Sequence, residues 1–484
     1  MQHGTVVRAA CLALVALGVA ACTSRSGDEA EPPAPPDPTT PAEAKPGADG
    51  IGDPYYPKDG NGGYDVAGYH VSISYDPKSH HLNGDTTITA KATGDLDRFN
   101  LDLNGMKVSA VEVDGKAAKF TRADDHELVI TPAAAVADGK EFTARVRYAG
   151  VPAATEEGNL GDNGWQIAHS GGAYVAGEPH SATAWYPAND TPRDKATFTL
   201  DARVPNGWSV ISNGVEKAAT RGTDGWTTFH WNEPTRIATY LTTVGIDKWT
   251  FDRSTGPDGV PLVSAYAPGA EDKKDVESRL PEILTFLSSK FGPYPQSAAG
   301  GIYINENIGF SLETQGRPIY AEWADLPTVV HENAHQWYGD SVSVQSWSDI
   351  CLNECFASYA QWLWDEAKED VNLDDQYRSA VSDASPKFWS GKLYDMGAGN
   401  EFTSVYDKGP MALHALRREI GDAAFNRVLK EWPAKHRDGN ASWPDFEKFV
   451  SDLSGKDLKG FFGAWFHSDK KPADQYLYPG SLRK

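Results

Sequence analysis

Residues 328–337 read TVVHENAHQW, and eighteen residues separate the second histidine, His335, from Glu354. On a helix, side chains four apart lie on one face, so His331 and His335 can direct imidazole nitrogens at one ion. Glu354 opens a second predicted helix in CLNECFASY and supplies a third ligand only if the two helices pack together. That requirement constrains the fold more than any other feature of the chain. Two histidines and one carboxylate leave a tetrahedral ion one open position, the arrangement of a catalytic rather than a structural zinc. Glu332 lies beside the ligands without being needed as one. Asp325 is placed to cap the first helix, with Pro327 in its first turn. Two histidines on a helix face are more often packing or surface residues, so the pair alone decides nothing.

The chain has 484 residues, enough for two to four domains. Its 40% hydrophobic content, with 15 Trp and 20 Tyr, is that of a globular protein. A net charge of −22 argues against a nucleic-acid partner, which needs a basic face. Residues 1–21 combine Arg8 with an apolar run ending in VAAC, so they are expected to be a secretory leader. The VAAC stretch resembles a lipobox, which implies an acylated Cys22 and an exported, cell-surface lipoprotein; a plain secreted form is the alternative. Residues 22–62, rich in Pro, Ala and acids, are expected to form a disordered tether.

Residues 63–250 alternate apolar and polar positions, as in Tyr69, Val71, Ile73 and Tyr75, and again in Phe142, Ala144, Val146 and Tyr148. This period of two predicts a β-rich domain. Asn83-Gly84 is expected to lie between the first strand and the next. From 251 to 475 the period becomes helical, with Val276, Leu280, Ile283, Leu284 and Leu287 on one face and Pro281 interrupting it. Residues 476–484 are expected to be a tail. Cys351 and Cys355, four apart, could pair in an oxidising compartment, with a Cα separation near the upper end of the allowed range. His80, His81 and His414 have no companion ligands. Neither Gly-x-Ser-x-Gly nor a Walker-type loop occurs, which removes the usual serine-hydrolase and nucleotide readings.

The stretch VVHENAHQWYGD…WSDICLNECFASYAQWLW resembles the zinc aminopeptidases related to aminopeptidase N. The resemblance extends to SVYDKGPMALHAL, where the family carries a catalytic tyrosine, here Tyr406, and to LETQ, where a family glutamate binds the substrate amine, here Glu313. GEPHSATAWYPANDTPRDKATFTL is similar to a family segment with a second amine-binding glutamate, here Glu178. The resemblance implies an α+β multidomain fold, an N-terminal antiparallel β-sandwich or saddle domain followed by a mainly helical, thermolysin-like zinc peptidase domain. It implies one Zn²⁺ per chain on His331, His335 and Glu354, and hydrolysis of N-terminal residues by a zinc-activated water. Glu332 would then be the general base and acid, and Tyr406 would stabilise the transition state. The implied partners are peptides with a free N-terminus, with no nucleic acid and membrane contact only through Cys22. An endopeptidase or an epoxide hydrolase of the same family, or a peptide-binding surface lipoprotein without activity, are the alternatives. Departures from the family pattern are Phe310 and Thr314, where Gly and Asn are usual, and Cys351 and Cys355, where Trp and Gly are usual. The large C-terminal helical domain of many relatives has no counterpart, which implies a more open cleft.

Overall fold

Eight strands form the largest sheet: β1 (Tyr64–Asp76), β2 (His81–Ala92), β3 (Lys107–Val113), β4 (Lys116–Ala117), β5 (Glu141–Gly150), β6 (Ala196–Pro205), β7 (Val215–Arg221) and β8 (Trp226–Ile237). Their spatial order is β7-β8-β6-β1-β2-β5-β3-β4. The computed structural model from which this is read describes residues 47–156 and 161–483. The leader, Cys22 and the first part of the expected tether lie outside the described residues. Alternation does what the sequence implies: Tyr69, Val71, Ile73 and Tyr75 are all buried on one face of β1. Every pair in this sheet is antiparallel except β1–β6, which run parallel with Gly68 opposite Thr197. A parallel pair needs a crossover of at least about a dozen residues, and the chain between Asp76 and Ala196 is far longer. A five-stranded sheet containing Ala173–Ala176 and Asp162–Ile167 packs into the same apolar core.

Two expectations in this half need correction. Asn83-Gly84 is not a turn but part of β2, and the chain reverses earlier, at Asp76–His80, where Asp76 accepts from the Lys78 amide and His80 has φ 55°. Gly84 is there for another reason: a Cβ on it would lie 2.1 Å from the Tyr148 ring. The tether also ends earlier than composition suggests. Residues 47–62 are packed, with Ile51, Asp53 and Asn61 buried. Asp53 accepts from the Trp347 amide at 3.1 Å and the Asn61 side chain donates to Asp102 at 2.7 Å. These anchors are distant in sequence, so Pro- and Gly-rich composition does not reveal them.

The second half carries a small sheet in the order Thr250–Thr255, Pro261–Tyr266, Ile302–Tyr303, Ile319–Tyr320. Its helices include α1 (Leu280–Phe291), α2 (Leu326–Ala334), α3 (Cys351–Lys368) and α4 (Lys408–Ile420). Pro281 sits in the first turn of α1, and Val276 belongs to a separate short turn before it. The last described residues fold back rather than trail: Leu482 is buried and the Ser481 hydroxyl donates to Asp374 at 2.8 Å. No helix among the described residues is long and apolar enough to cross a membrane.

Two buried cations join the halves. Arg317 donates to the carbonyls of Ser212 (2.8 Å), Gly214 (2.6 Å) and Val263 (2.9 Å). Lys195 donates to the carbonyls of Asp340 (2.5 Å) and Ser341 (3.0 Å). Burying a charge is costly unless its donors are satisfied, and all of these bonds except that to Val263 tie a segment of one half to the other. The junction matters because the cleft takes side chains from both.

Candidate metal centre

Asp325 caps α2, its carboxylate accepting from the Thr328 amide at 3.1 Å, and Pro327 occupies the first turn. One turn apart, His331 and His335 face each other with ring centroids 4.8 Å apart. Leading into α3, a short turn over Trp347–Asp349 has a reciprocal cap, Ser346 with Asp349. Glu354 lies in the first turn of α3, bracketed by a Cys351–Cys355 disulfide with a Cα separation of 4.8 Å. This separation is below the expected upper range; at the start of the helix the Ile350 carbonyl accepts from both the Asn353 and the Glu354 amide.

The packing of α2 on α3 brings the three expected ligands together. Nε2 of His331 is 3.1 Å from Nε2 of His335, and Oε2 of Glu354 is 3.2 Å from the first and 3.5 Å from the second. Ligands about 2.0–2.1 Å from a tetrahedral zinc are separated by roughly 3.3 Å. Tautomer points the same way. Nδ1 of His335 is 3.0 Å from the Tyr338 carbonyl, so it donates there, and the neutral ring presents a bare Nε2 to an ion. Two imidazole nitrogens at contact share one proton at most, whereas a cation between them satisfies both lone pairs. The residues therefore fit a zinc ion, with His331, His335 and Glu354 holding it.

Around this triad the structure gathers further acids. Glu332, Glu313 and Glu178 are 6%, 2% and 2% exposed. Oxygens of Glu313 and Glu332 lie within 4.8 Å of each other and of a His335 ring nitrogen. Burial, then Glu313 and Glu354 nearby, pushes the Glu178 carboxyl well above its usual range. Burial likewise raises Glu332 and Glu313, with His335 opposing in part. Glu354 is the exception: burial would raise it, but the two imidazoles hold it below the ordinary carboxylate range. Concentrated buried negative charge of this kind is costly without cations to balance it.

The second half supplies Glu313 and the β-rich half Glu178. Glu313 precedes Ile319–Tyr320; the Tyr240 hydroxyl donates to its carboxylate at 3.2 Å and the Gln336 side chain to its carbonyl at 3.2 Å. Glu178 follows Ala173–Ala176, and its Oε1 has no hydrogen-bond partner among the described residues. Tyr406 stands 6.0 Å from the His331 ring, centroid to centroid, and is 38% exposed at the cleft mouth. Desolvation, then Glu354 and Glu178, hold its phenol well above the usual pKa, so it stays protonated and able to donate. The segment carrying it is tied down by Lys408, whose ammonium donates to the carbonyls of Gly391 (2.6 Å) and Ser468 (3.3 Å).

All seven expected residues line one cavity of about 360 Å³, together with Phe310, Trp323, Gln361 and Asp407. A larger groove beside Pro281 and Lys368 holds no ligand set, so volume is a poor guide to chemistry here. Tyr240 and Gln336 were not read from the sequence. Gln336 adjoins the second histidine, a signal of sorts; Tyr240 lies too far away to carry one. His414 is buried between Tyr359 and Asp374, and His80 bonds Tyr75, so neither joins a metal group. A further cluster, Asp102, His126 and Glu127, is in the β-rich half. Its Asp102 already accepts from Gly60, Asn61 and Asp190.

Comparison with known proteins agrees with this geometry. The model of the peptidase family M1 domain matches residues 321–465, and that of the peptidase M1 N-terminal domain matches 66–241. A probable aminopeptidase 1 of Sulfurisphaera tokodaii is 24% identical over 83% of this chain and 52% of its own length. Aminopeptidase N of Lactococcus lactis is 25% identical over 84% of this chain and 50% of its own. The chain thus spans about half the length of the curated relatives it matches. Among solved structures, a mutant M1 zinc metallopeptidase of Deinococcus radiodurans superposes with a TM-score of 0.80 and 28% identity, covering 88% of this chain and 99% of that one. The same mutant has been solved with a Tyr-Ser-Ala substrate bound.

Proposed function

The chain belongs to peptidase family M1, and from that premise we propose that it is a zinc-dependent aminopeptidase that removes N-terminal residues from peptides. The observation that carries the reading is the triangle of His331, His335 and Glu354 atoms at 3.1–3.5 Å with three further buried glutamates beside it. When bound, zinc supplies Lewis acidity to the scissile carbonyl. The Glu332 carboxylate takes a proton from the attacking water and returns it to the leaving amine. The Tyr406 hydroxyl donates to the oxygen on which negative charge develops. Glu178 and Glu313 accept from the protonated α-amine, and the unpartnered Glu178 Oε1 supports this assignment. Anchoring the amine sets the first peptide bond over the metal, which makes the enzyme an exopeptidase.

Paired peptides test the anchor. A free-amine peptide should be cleaved by the zinc-loaded chain at least about a hundredfold faster, in kcat/KM, than its N-acetylated twin, because acetylation removes the charge the two glutamates hold. Equal rates would make the protein an endopeptidase.

We also propose that the chain is exported and held at the cell surface by an acyl group on Cys22. The Cys351–Cys355 disulfide supports an oxidising destination. A radiolabelled fatty acid should enter the wild-type chain and not Cys22→Ser, and the variant should shift from the membrane to the soluble fraction. Unlabelled wild type would remove the anchor.

A further inference from the structure

We propose that the mouth of the cleft selects peptides with a cationic side chain at the second residue, an inference that rests on the aminopeptidase reading. Five acids line the cavity, namely Glu178, Glu313, Glu332, Glu354 and Asp407, and among the described residues no Lys or Arg does. Four of them have partners in the reaction: the ion, the attacking water or the α-amine. Asp407 has none. It is exposed, and although it precedes α4 its side chain makes no capping bond.

Depth assigns it to the leaving peptide. The amine anchors Glu178 and Glu313 are 2% exposed each, whereas Tyr406 and Trp323 are 38% and 47% exposed, which places the first residue inward and the residues after the scissile bond outward. The outward end is where Tyr406, Asp407 and Trp323 stand. Trp323 is 47% exposed, and its indole N–H is bonded to the Ile308 carbonyl at 2.7 Å, which holds the ring in place. An exposed indole and an unpaired carboxylate lining one cleft match the chemistry of a Lys or Arg side chain, through cation–π attraction and Coulomb attraction together. An acidic second residue meets the same wall with the opposite sign. The chain's net charge of −22 adds a long-range field in the same direction.

Three free-amine tripeptides that differ only in carrying Lys, Gln or Glu second provide the test, with the zinc-loaded full chain. At low salt, kcat/KM should fall from Lys to Gln to Glu, with about a tenfold span, and the span should shrink to about twofold near 0.5 M salt. Asp407→Asn should lower the Lys-to-Glu ratio about threefold, and Asp407→Lys should invert the order. Trp323→Ala should lower the Lys-to-Gln ratio, which charge alone does not explain. Equal kcat/KM across the series at low salt, or a ratio unmoved in both Asp407 variants, overturns this inference while the peptidase reading stands. Failure to cleave any of the three overturns the peptidase reading and this one with it.

Discussion

Glu332→Gln is expected to bind zinc as the wild type does and to lose about three orders of magnitude in kcat. The amide keeps the shape and burial of the carboxylate but accepts no proton at neutral pH, and positioned acid–base groups contribute about 10²–10⁴-fold. Metal content should hold because the three atoms that converge at 3.1–3.5 Å belong to His331, His335 and Glu354. Elemental analysis beside single-turnover kinetics separates the two effects. A variant that keeps its turnover removes Glu332 as the base, whereas one that loses its metal makes Glu332 part of the ligand set.

Tyr406→Phe is expected to lower kcat about 10²–10³-fold while KM changes little. In the proposed mechanism the hydroxyl donates to charge that exists only in the transition state, and loss of one such donor costs about this much. Its surroundings keep the proton on the phenol across the working pH range. The ring is partly exposed and packs near His331, so the missing oxygen should leave the fold intact. A fall carried by KM alone would place Tyr406 in ground-state binding instead.

The metal triad was legible because its logic is local: four residues along one helix, then one carboxylate at the start of the next. Strand alternation was legible for the same reason, since Val71 and Ile73 need only their own strand to show a period of two. What stayed hidden depends on partners far away in the chain. Gly84 resembles a turn residue until the Tyr148 ring is seen over it. Residues 47–62 resemble a tether until Asp53 is found capping Trp347 and Asn61 bonding Asp102. Tyr240 holds Glu313 across 73 positions, with nothing nearby to announce it. The parallel β1–β6 pair is equally non-local, because alternation specifies a buried face but not the direction of a neighbour.

Gly409 opens α4 directly against Cys355, where a Cβ would sit 2.5 Å from the sulfur. Glu354 is thus one residue from this joint on one side, and Tyr406 three residues from it on the other. The α3 helix carries its cystine at this joint, and Lys408 beside it donates to the Gly391 carbonyl. Glu354 and Tyr406 thus flank the point where the two helices meet most closely. A side chain at position 409 has no room there, so any larger residue would wedge the two helix starts apart and change the spacing between Glu354 and Tyr406.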